Sequence, residues 1–301
     1  MHLGNIFTAL MSYLSVRKSG GQWVLRIEDL DPQRSKVEYA RQIEDDLHWL
    51  GLEWDEGGLD GGGANGPYEQ SLRGDIYARY YKELLSQGVT YPCYCRRADI
   101  LATQAPHQTD GRVVYSGACR PSDEPPFVTP SNVGCRAHST RLFTPDREVC
   151  FEDVVFGLQS ANVADVCGDF ILRRADGAWA YQLAVVVDDA LMGITEVVRG
   201  CDLLLSTTQQ LYLYDLLGFD VPRFAHLPLI CNDAMQRLSK RDRSASMEEL
   251  RKKYSPEEIY GVLGYAAGLL PERCLCRLDE LIEQFDWQKV RKEEKIKIEE
   301  A

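Results

Sequence analysis

The opening of the chain constrains its fold most tightly. Leu3, Ile6, Phe7, Leu10 and Leu14 recur at helical spacing over residues 3–18, and Gly20-Gly21 ends the run. A short buried strand, Trp23-Val24-Leu25-Arg26-Ile27, follows and runs into Glu28-Asp29-Leu30-Asp31-Pro32. Residues 34–50 repeat the helical spacing (Ile43, Leu47, Leu50) up to Gly51, and Tyr68 to Gln87 reads as another helix. Helix and strand thus alternate from the start, which predicts an α/β fold with a parallel sheet.

From Val89 to Gly168 the texture changes. Pro121, Pro125, Pro126 and Pro130 cluster, helical periodicity fades and short β-like runs appear, as in an inserted α+β subdomain. From Phe170 to Gly218 the α/β style returns. Leu183-Ala184-Val185-Val186-Val187-Asp188-Asp189 reads as a buried strand ending in acids, and Thr207 to Leu217 as a helix. Beyond Arg237 the chain reads as helical and charged, and from Lys289 onward as a charged, frayed tail. The predicted divisions are 1–88, 89–168, 169–235 and 236–301.

Composition narrows the function classes. Hydrophobic residues at 45% and charged residues at 27% suit a globular chain, and no apolar run approaches the ~20 residues of a membrane span. Met1 opens neither a basic nor a long apolar leader, so the expectation is a cytoplasmic protein with no membrane partner. The net charge of −12 argues against a general nucleic-acid binder. It leaves room for a local patch: Arg237, Lys240, Arg241, Arg243, Arg251, Lys252 and Lys253 crowd one stretch, which also fits a solvated helix face. The ten cysteines read as reduced thiols or metal ligands, with Cys150, Cys167, Cys201 and Cys231 expected as small buried hydrophobes.

Several short motifs carry chemistry. His2-Leu3-Gly4-Asn5 opens a helix, where free N–H groups and the helix dipole favour phosphate, Gly4 admits close approach and an imidazole can donate to phosphate oxygens. Arg237-Leu238-Ser239-Lys240-Arg241 follows the apolar strand Leu227-Pro228-Leu229-Ile230, and a lysine-bearing loop there can clamp a leaving pyrophosphate. Each alone fits an ordinary helix start or surface loop; in this order they suggest an ATP site. Arg26 and Glu28 stand at a strand end, where α/β proteins bind ligands, and Glu28 can hold an ammonium group. Arg199 follows Glu196-Val197-Val198 and suits a carboxylate, and Tyr181 can supply a hydroxyl. Cys93, Cys95, Tyr115 and Cys119 are spaced as a tetrahedral zinc site of three thiolates and a phenolate, or as reduced cysteines in a compact subdomain.

Together these residues resemble class I aminoacyl-tRNA synthetases of the glutamyl type over most of residues 2–245. The runs Arg26 to Asp31, Tyr181 to Thr195 and Val198-Arg199-Gly200 carry the likeness most specifically. The resemblance implies a Rossmann-type parallel sheet in two halves (1–88 and 169–235), an inserted zinc-bearing subdomain and a short C-terminal helical region after the lysine motif. It also implies ATP binding by His2, Gly4, Asn5, Ser239 and Lys240, with His2, Asn5 and Lys240 catalytic and Mg²⁺ assisting. Glu28, Tyr181 and Arg199 would bind L-glutamate. The length after Arg243, with the cysteine set, resembles the shorter paralogues that glutamylate the queuosine base at the wobble position of aspartate tRNA, and the expectation is a monomer. The alternatives are a shortened ordinary glutamyl-tRNA synthetase and a non-catalytic RNA-binding paralogue. A small-molecule ligase of the superfamily fits poorly with Arg26 to Asp31. Family members carry a strand, a Pro/Ser-rich turn and a glutamate-binding arginine ahead of the first motif. None precedes Met1, so the expectation is a sheet wanting a central strand and a start placed too late.

Overall fold

The computed structural model describes residues 1–96, 114–127, 137–231 and 247–298. In chain order the elements are α1 (Leu3–Ser19), β1 (Val24–Leu25), α2 (Val37–Trp49), β2 (Glu56–Gly57), α3 (Gly74–Ser86), β3 (Thr90–Cys93), β4 (Ser139–Leu142), β5 (Glu148–Asp153), β6 (Gly157–Asn162), α4 (Val163–Cys167), β7 (Phe170–Arg173), α5 (Tyr181–Leu191), β8 (Glu196–Gly200), α6 (Ser206–Leu217), β9 (Arg223–Leu227), β10 (Leu229–Cys231), α7 (Met247–Lys253), α8 (Pro256–Ala267), α9 (Leu278–Gln284) and β11 (Lys295–Lys297).

α1 forms where the spacing puts it. Ile6, Phe7, Leu10, Met11 and Leu14 are all buried on one side. Gly20, at φ 72°, ends the helix, and the Gly21 N–H closes onto the Val16 carbonyl at 2.9 Å. α2 starts at Val37 and α3 only at Gly74, after a short 3₁₀ turn at Gln70–Leu72.

Parallel pairing surrounds the cleft. β1 pairs with β2, and β8 with β9, both in parallel; the order of the larger sheet is β6-β5-β9-β8. Gly57 is required here: at φ 96°, a Cβ would lie 2.1 Å from the Leu25 carbonyl oxygen. Among the described residues, β1 and β8 have no strand partner on their facing sides, and a cleft lies between them. β3, β4 and β7 form a separate antiparallel sheet in the middle of the chain. The β5–β6 hairpin, before Gly168, pairs through Asp153 with Phe224 of β9. One core cluster packs α1 and α2 against β10 and the C-terminal helices; a second gathers α3, α5, α6, β7 and β9.

Three expectations are corrected. Leu183 to Asp189 is helix, not strand. The run is buried on every side, from Leu183 through Asp189, so it shows no amphipathic period and reads like a buried strand. The segment from Lys289 is no frayed tail: β11 pairs in parallel with β10, and Val290, Ile296 and Ile298 are buried. Cys150 is exposed, on the outward phase of alternating β5, and Cys167 and Cys201 are only partly covered; Cys231 is buried.

Candidate active site

α5 anchors the site through two consecutive acids in its last turns. Carboxylates there oppose the helix dipole, so each needs a cation. Asp188 is fully buried and accepts from Arg73 Nε at 2.6 Å, Gln70 Nε2 at 2.8 Å and the Tyr77 hydroxyl at 2.7 Å. This ties α3 and the turn before it to α5. Asp189 accepts from Arg26 Nη1 at 2.7 Å. Burial pushes the Asp189 carboxyl up, against the pull of Arg26. For Arg26, burial opposes the charge, but Asp189, Glu28 and Asp188 together raise it well above the ordinary arginine range.

Arg26 also presents Glu28, whose Oε1 accepts from Nη2 at 3.0 Å. Glu28 is otherwise exposed to a cleft of about 600 Å³. Tyr181 and Arg199 line the same cleft with Arg26 and Asp189. Tyr181 opens α5 and is 37% exposed; burial and nearby Glu28 raise its phenol. Arg199 is 7% exposed, and burial lowers it from the ordinary arginine range. The residues predicted to hold glutamate are therefore brought together: one carboxylate, one hydroxyl and one guanidinium around one space.

A second cleft of about 550 Å³ adjoins the first, sharing Ser12, Trp23, Leu25, Arg26, Val198 and Leu203. His2, Gly4, Asn5 and Thr8 line it on one side and Pro228, Leu229 and Ile230 on another. His2 is the N-cap of α1, and Asn5 Oδ1 accepts its backbone N–H at 3.4 Å. The first turn carries no acidic residue, so no carboxylate of the helix itself offsets its positive end at the cleft. Ser239 and Lys240 lie outside the described residues, which break off after Cys231 at the end of β10.

The zinc donors converge in the middle of the chain. The thiols of Cys93, Cys95 and Cys119 lie within 4.8 Å of one another. The Tyr115 hydroxyl is 3.4 Å from Cys93 Sγ and 3.8 Å from Cys95 Sγ, and Cys95 Sγ is 3.5 Å from Cys119 Sγ. Four donors at these separations fit one tetrahedral ion with metal–sulfur bonds near ~2.3 Å. Without an ion, burial and the Cys119 contact push the Cys95 thiol up to about 11. Cys119 is drawn below its usual value: burial opposes this, but hydrogen bonds from the Tyr94 backbone and the Tyr115 hydroxyl prevail. The cluster sits on Tyr91, Phe127 and Phe143, and the Arg141 guanidinium covers the Tyr115 ring at 3.6 Å.

Sequence reasoning did not find Arg73, Gln70, Tyr77, Asp153, His226 and Thr207. A signal existed for His226, which interrupts the apolar run Phe224 to Leu227 on β9.

Comparison with known proteins agrees with this geometry. The model for "tRNA synthetases class I (E and Q), catalytic domain" matches residues 1–300. A glutamyl-Q tRNA(Asp) synthetase of Symbiobacterium thermophilum is 44% identical over 301 residues, covering 97% of this chain and 91% of that protein. A glutamate–tRNA ligase of Aquifex aeolicus is 40% identical over 295 residues, covering 96% of this chain and 60% of that protein. The crystal structure of a glutamate tRNA ligase from Elizabethkingia meningosepticum, in complex with its amino acid, superposes with a TM-score of 0.83 at 29% identity. That match covers 99% of this chain, which spans 64% of the ligase's length. Among the described residues no helix is long and apolar enough to cross a membrane. With the family model matched from its first residue almost to its last, the chain belongs to the class I tRNA synthetases of the E and Q type and has their α/β catalytic-domain fold.

Proposed function

We propose that this chain activates L-glutamate with ATP and transfers the glutamyl group to the queuosine base at the wobble position of aspartate tRNA. The carrying observation is the pair of adjoining clefts: one lined by Glu28, Tyr181 and Arg199, the other by the start of α1. The Symbiobacterium relative that bears this activity in its name matches over nearly the whole of both chains. We read residues 1–88 and 169–235 as two halves of a Rossmann-type catalytic domain. Residues 89–168 are the inserted subdomain, with its β5–β6 hairpin returning to the main sheet, and 236–301 hold the lysine-motif loop and C-terminal helices.

Glu28 accepts the ammonium group of glutamate with the oxygen that Arg26 leaves over, Arg199 holds a carboxylate and Tyr181 donates its hydroxyl. His2, Gly4 and Asn5 at the α1 start hold ATP phosphates, joined by Ser239 and Lys240. A glutamate α-carboxylate oxygen attacks the α-phosphorus, the bond to the bridging oxygen breaks, and pyrophosphate leaves with its electron pair. A queuosine hydroxyl then attacks the acyl carbon, loses its proton and expels AMP. Positioning and fixed charge lower both barriers. Mg²⁺ bound with the nucleotide would offset the phosphate charge.

Glutamate-dependent ATP–pyrophosphate exchange without tRNA, followed by transfer to queuosine-containing aspartate tRNA, tests the reading. Charging of glutamate tRNA alone overturns it, and a non-catalytic paralogue would show no exchange. Glu28→Gln keeps the Arg26 contact and removes the charge facing the ammonium. A charged hydrogen bond contributes about 1.5–3 kcal/mol, so the KM for glutamate should rise roughly 10- to 100-fold with the KM for ATP unchanged. Equal changes in both would count against Glu28 as the ammonium partner.

Cys93, Cys95, Tyr115 and Cys119 would hold a structural zinc, whose contribution is to lock the middle sheet onto its aromatic cluster. Metal analysis should find zinc near one per chain, falling well below half in Cys95→Ser. A variant retaining full zinc would remove Cys95 from the ligand set.

A further inference from the structure

Arg199 faces the cleft, but two of its N–H groups point away from it. Nε donates to His226 Nε2 at 3.0 Å, and Nη2 donates to Thr207 Oγ1 at 2.8 Å. His226 is fully buried on β9, and its Nδ1 lies 2.6 Å from Asp153 Oδ2. Asp153, at the end of β5, also accepts the backbone N–H groups of Val155 at 3.0 Å, Phe156 at 2.9 Å and His226 at 3.1 Å.

These bonds decide the tautomer. A carboxylate engaged by backbone donors takes a proton donor from the ring, so Nδ1 carries the hydrogen and Nε2 presents a lone pair. That lone pair is what Arg199 Nε–H needs. The other tautomer, or an imidazolium, would set N–H against N–H. Burial holds the imidazole below its ordinary value, against the Asp153 bond that raises it, so the ring is neutral. The groups facing it are Asp153 from β5, Arg199 from β8, Asp202 from the turn after β8 and Thr207 from α6, with the Phe224 ring stacked alongside.

The arrangement differs from that of buried Arg73 in one respect that bears on binding. Arg73 meets the Asp188 carboxylate directly, so its charge is neutralised in place. Arg199 instead meets a neutral imidazole and a hydroxyl, with the Asp153 charge one ring further back. Its plane is fixed by two hydrogen bonds, and no carboxylate pairs with it directly, Asp189 and the Tyr181 hydroxyl acting on it from the cleft side, so its positive charge is left for a ligand. A carboxylate in the place of His226 would hold the fork as well but would compete with the substrate's own carboxylate.

We infer that Asp153, His226 and Thr207 form a positioning relay that fixes the plane of Arg199 for the carboxylate of glutamate without neutralising its charge. The inference rests on the functional reading above and deepens it. Neither His226 nor Asp153 touches substrate; they act through Arg199.

The test uses the full chain and glutamate-dependent ATP–pyrophosphate exchange. His226→Leu removes the acceptor, whereas His226→Gln offers an amide oxygen near the place of Nε2. Displacing a positioned group by about 1 Å can cost on the order of 10²-fold, so His226→Leu should raise the KM for glutamate roughly 10- to 100-fold. The KM for ATP should stay within about two-fold, and His226→Gln should recover most of the loss. Should His226→Leu fail to fold, Thr207→Val interrogates the second bond, with a rise in glutamate KM of roughly three- to ten-fold expected at unchanged far-UV circular dichroism. A glutamate KM unmoved in the folded variant overturns the relay, as does an equal change in both KM values with no rescue by glutamine. A wild-type chain with no glutamate-dependent exchange sinks the functional reading and the relay with it, whereas an active wild type with an unmoved glutamate KM in the variants overturns the relay alone.

Discussion

Asp188→Ala is expected to destabilise the fold by about 3–5 kcal/mol, the cost of stranding a buried charge. Asp188 is fully buried and is the common acceptor for Arg73, Gln70 and Tyr77. Arg73 is itself buried, and its remaining described bonds go to the backbone oxygens of Pro67 at 2.9 Å and Asn65 at 3.4 Å. Truncation therefore leaves a guanidinium with no counter-charge and strands two neutral donors. In a chain of this size the melting temperature should fall by roughly 5–8 °C, read by calorimetry or circular dichroism. Replacing both partners with apolar residues, Arg73→Met with Asp188→Leu, should restore a large part of the loss, because the stranded charge goes too. A loss below about 1 kcal/mol in the single variant would show that the network does not hold α3 to α5.

Arg199→Lys is the second large effect, and it falls on activity. A lysine keeps the charge but cannot donate to His226 and Thr207 while presenting a flat fork to a carboxylate. Losing a buried, hydrogen-bonded charge partner costs about 2–5 kcal/mol, so kcat/KM for glutamate should drop on the order of 10²- to 10³-fold. The measure is steady-state exchange over a glutamate titration. Near-normal kcat/KM would place the carboxylate contact on some other residue.

The parts of the structure that were legible in the sequence share one property: they face two environments. α2 is buried on one side and wet on the other, and the side of α1 away from Ile6, Phe7, Leu10 and Leu14 is only partly covered, so their apolar residues keep a helical period. Arg26, Glu28 and Arg199 stood out because charges at the end of an apolar strand have few places to go but a ligand cleft. The cysteine spacing likewise survived folding, because a metal site needs its donors at fixed chemistry and short reach. α5 was misread because Leu183 to Asp189 is buried on every side, and burial all round erases the period that separates helix from strand. β11 was missed because its lysines suggested a solvated tail, although Lys295-Ile296-Lys297-Ile298 alternates as an edge strand does. The His226 relay could not be read from one chain position. Its partners sit on β5, β8 and α6, and only folding brings Asp153 and Arg199 to the same ring.

The pairing of β11 with β10 makes a distant part of the chain a brace for the cleft at the α1 start. Leu229 and Ile230 of β10 form a wall of the cleft at the α1 start. The outer edge of that strand is clasped by Lys295 to Lys297, and the Leu229 N–H donates to the Glu294 carbonyl at 2.8 Å. On the proposed reading, the wall beside the α1 start must hold a fixed position for the nucleotide. Here that wall is buttressed by residues some sixty positions downstream, so on the same reading a disrupted β11 would register as weaker ATP binding.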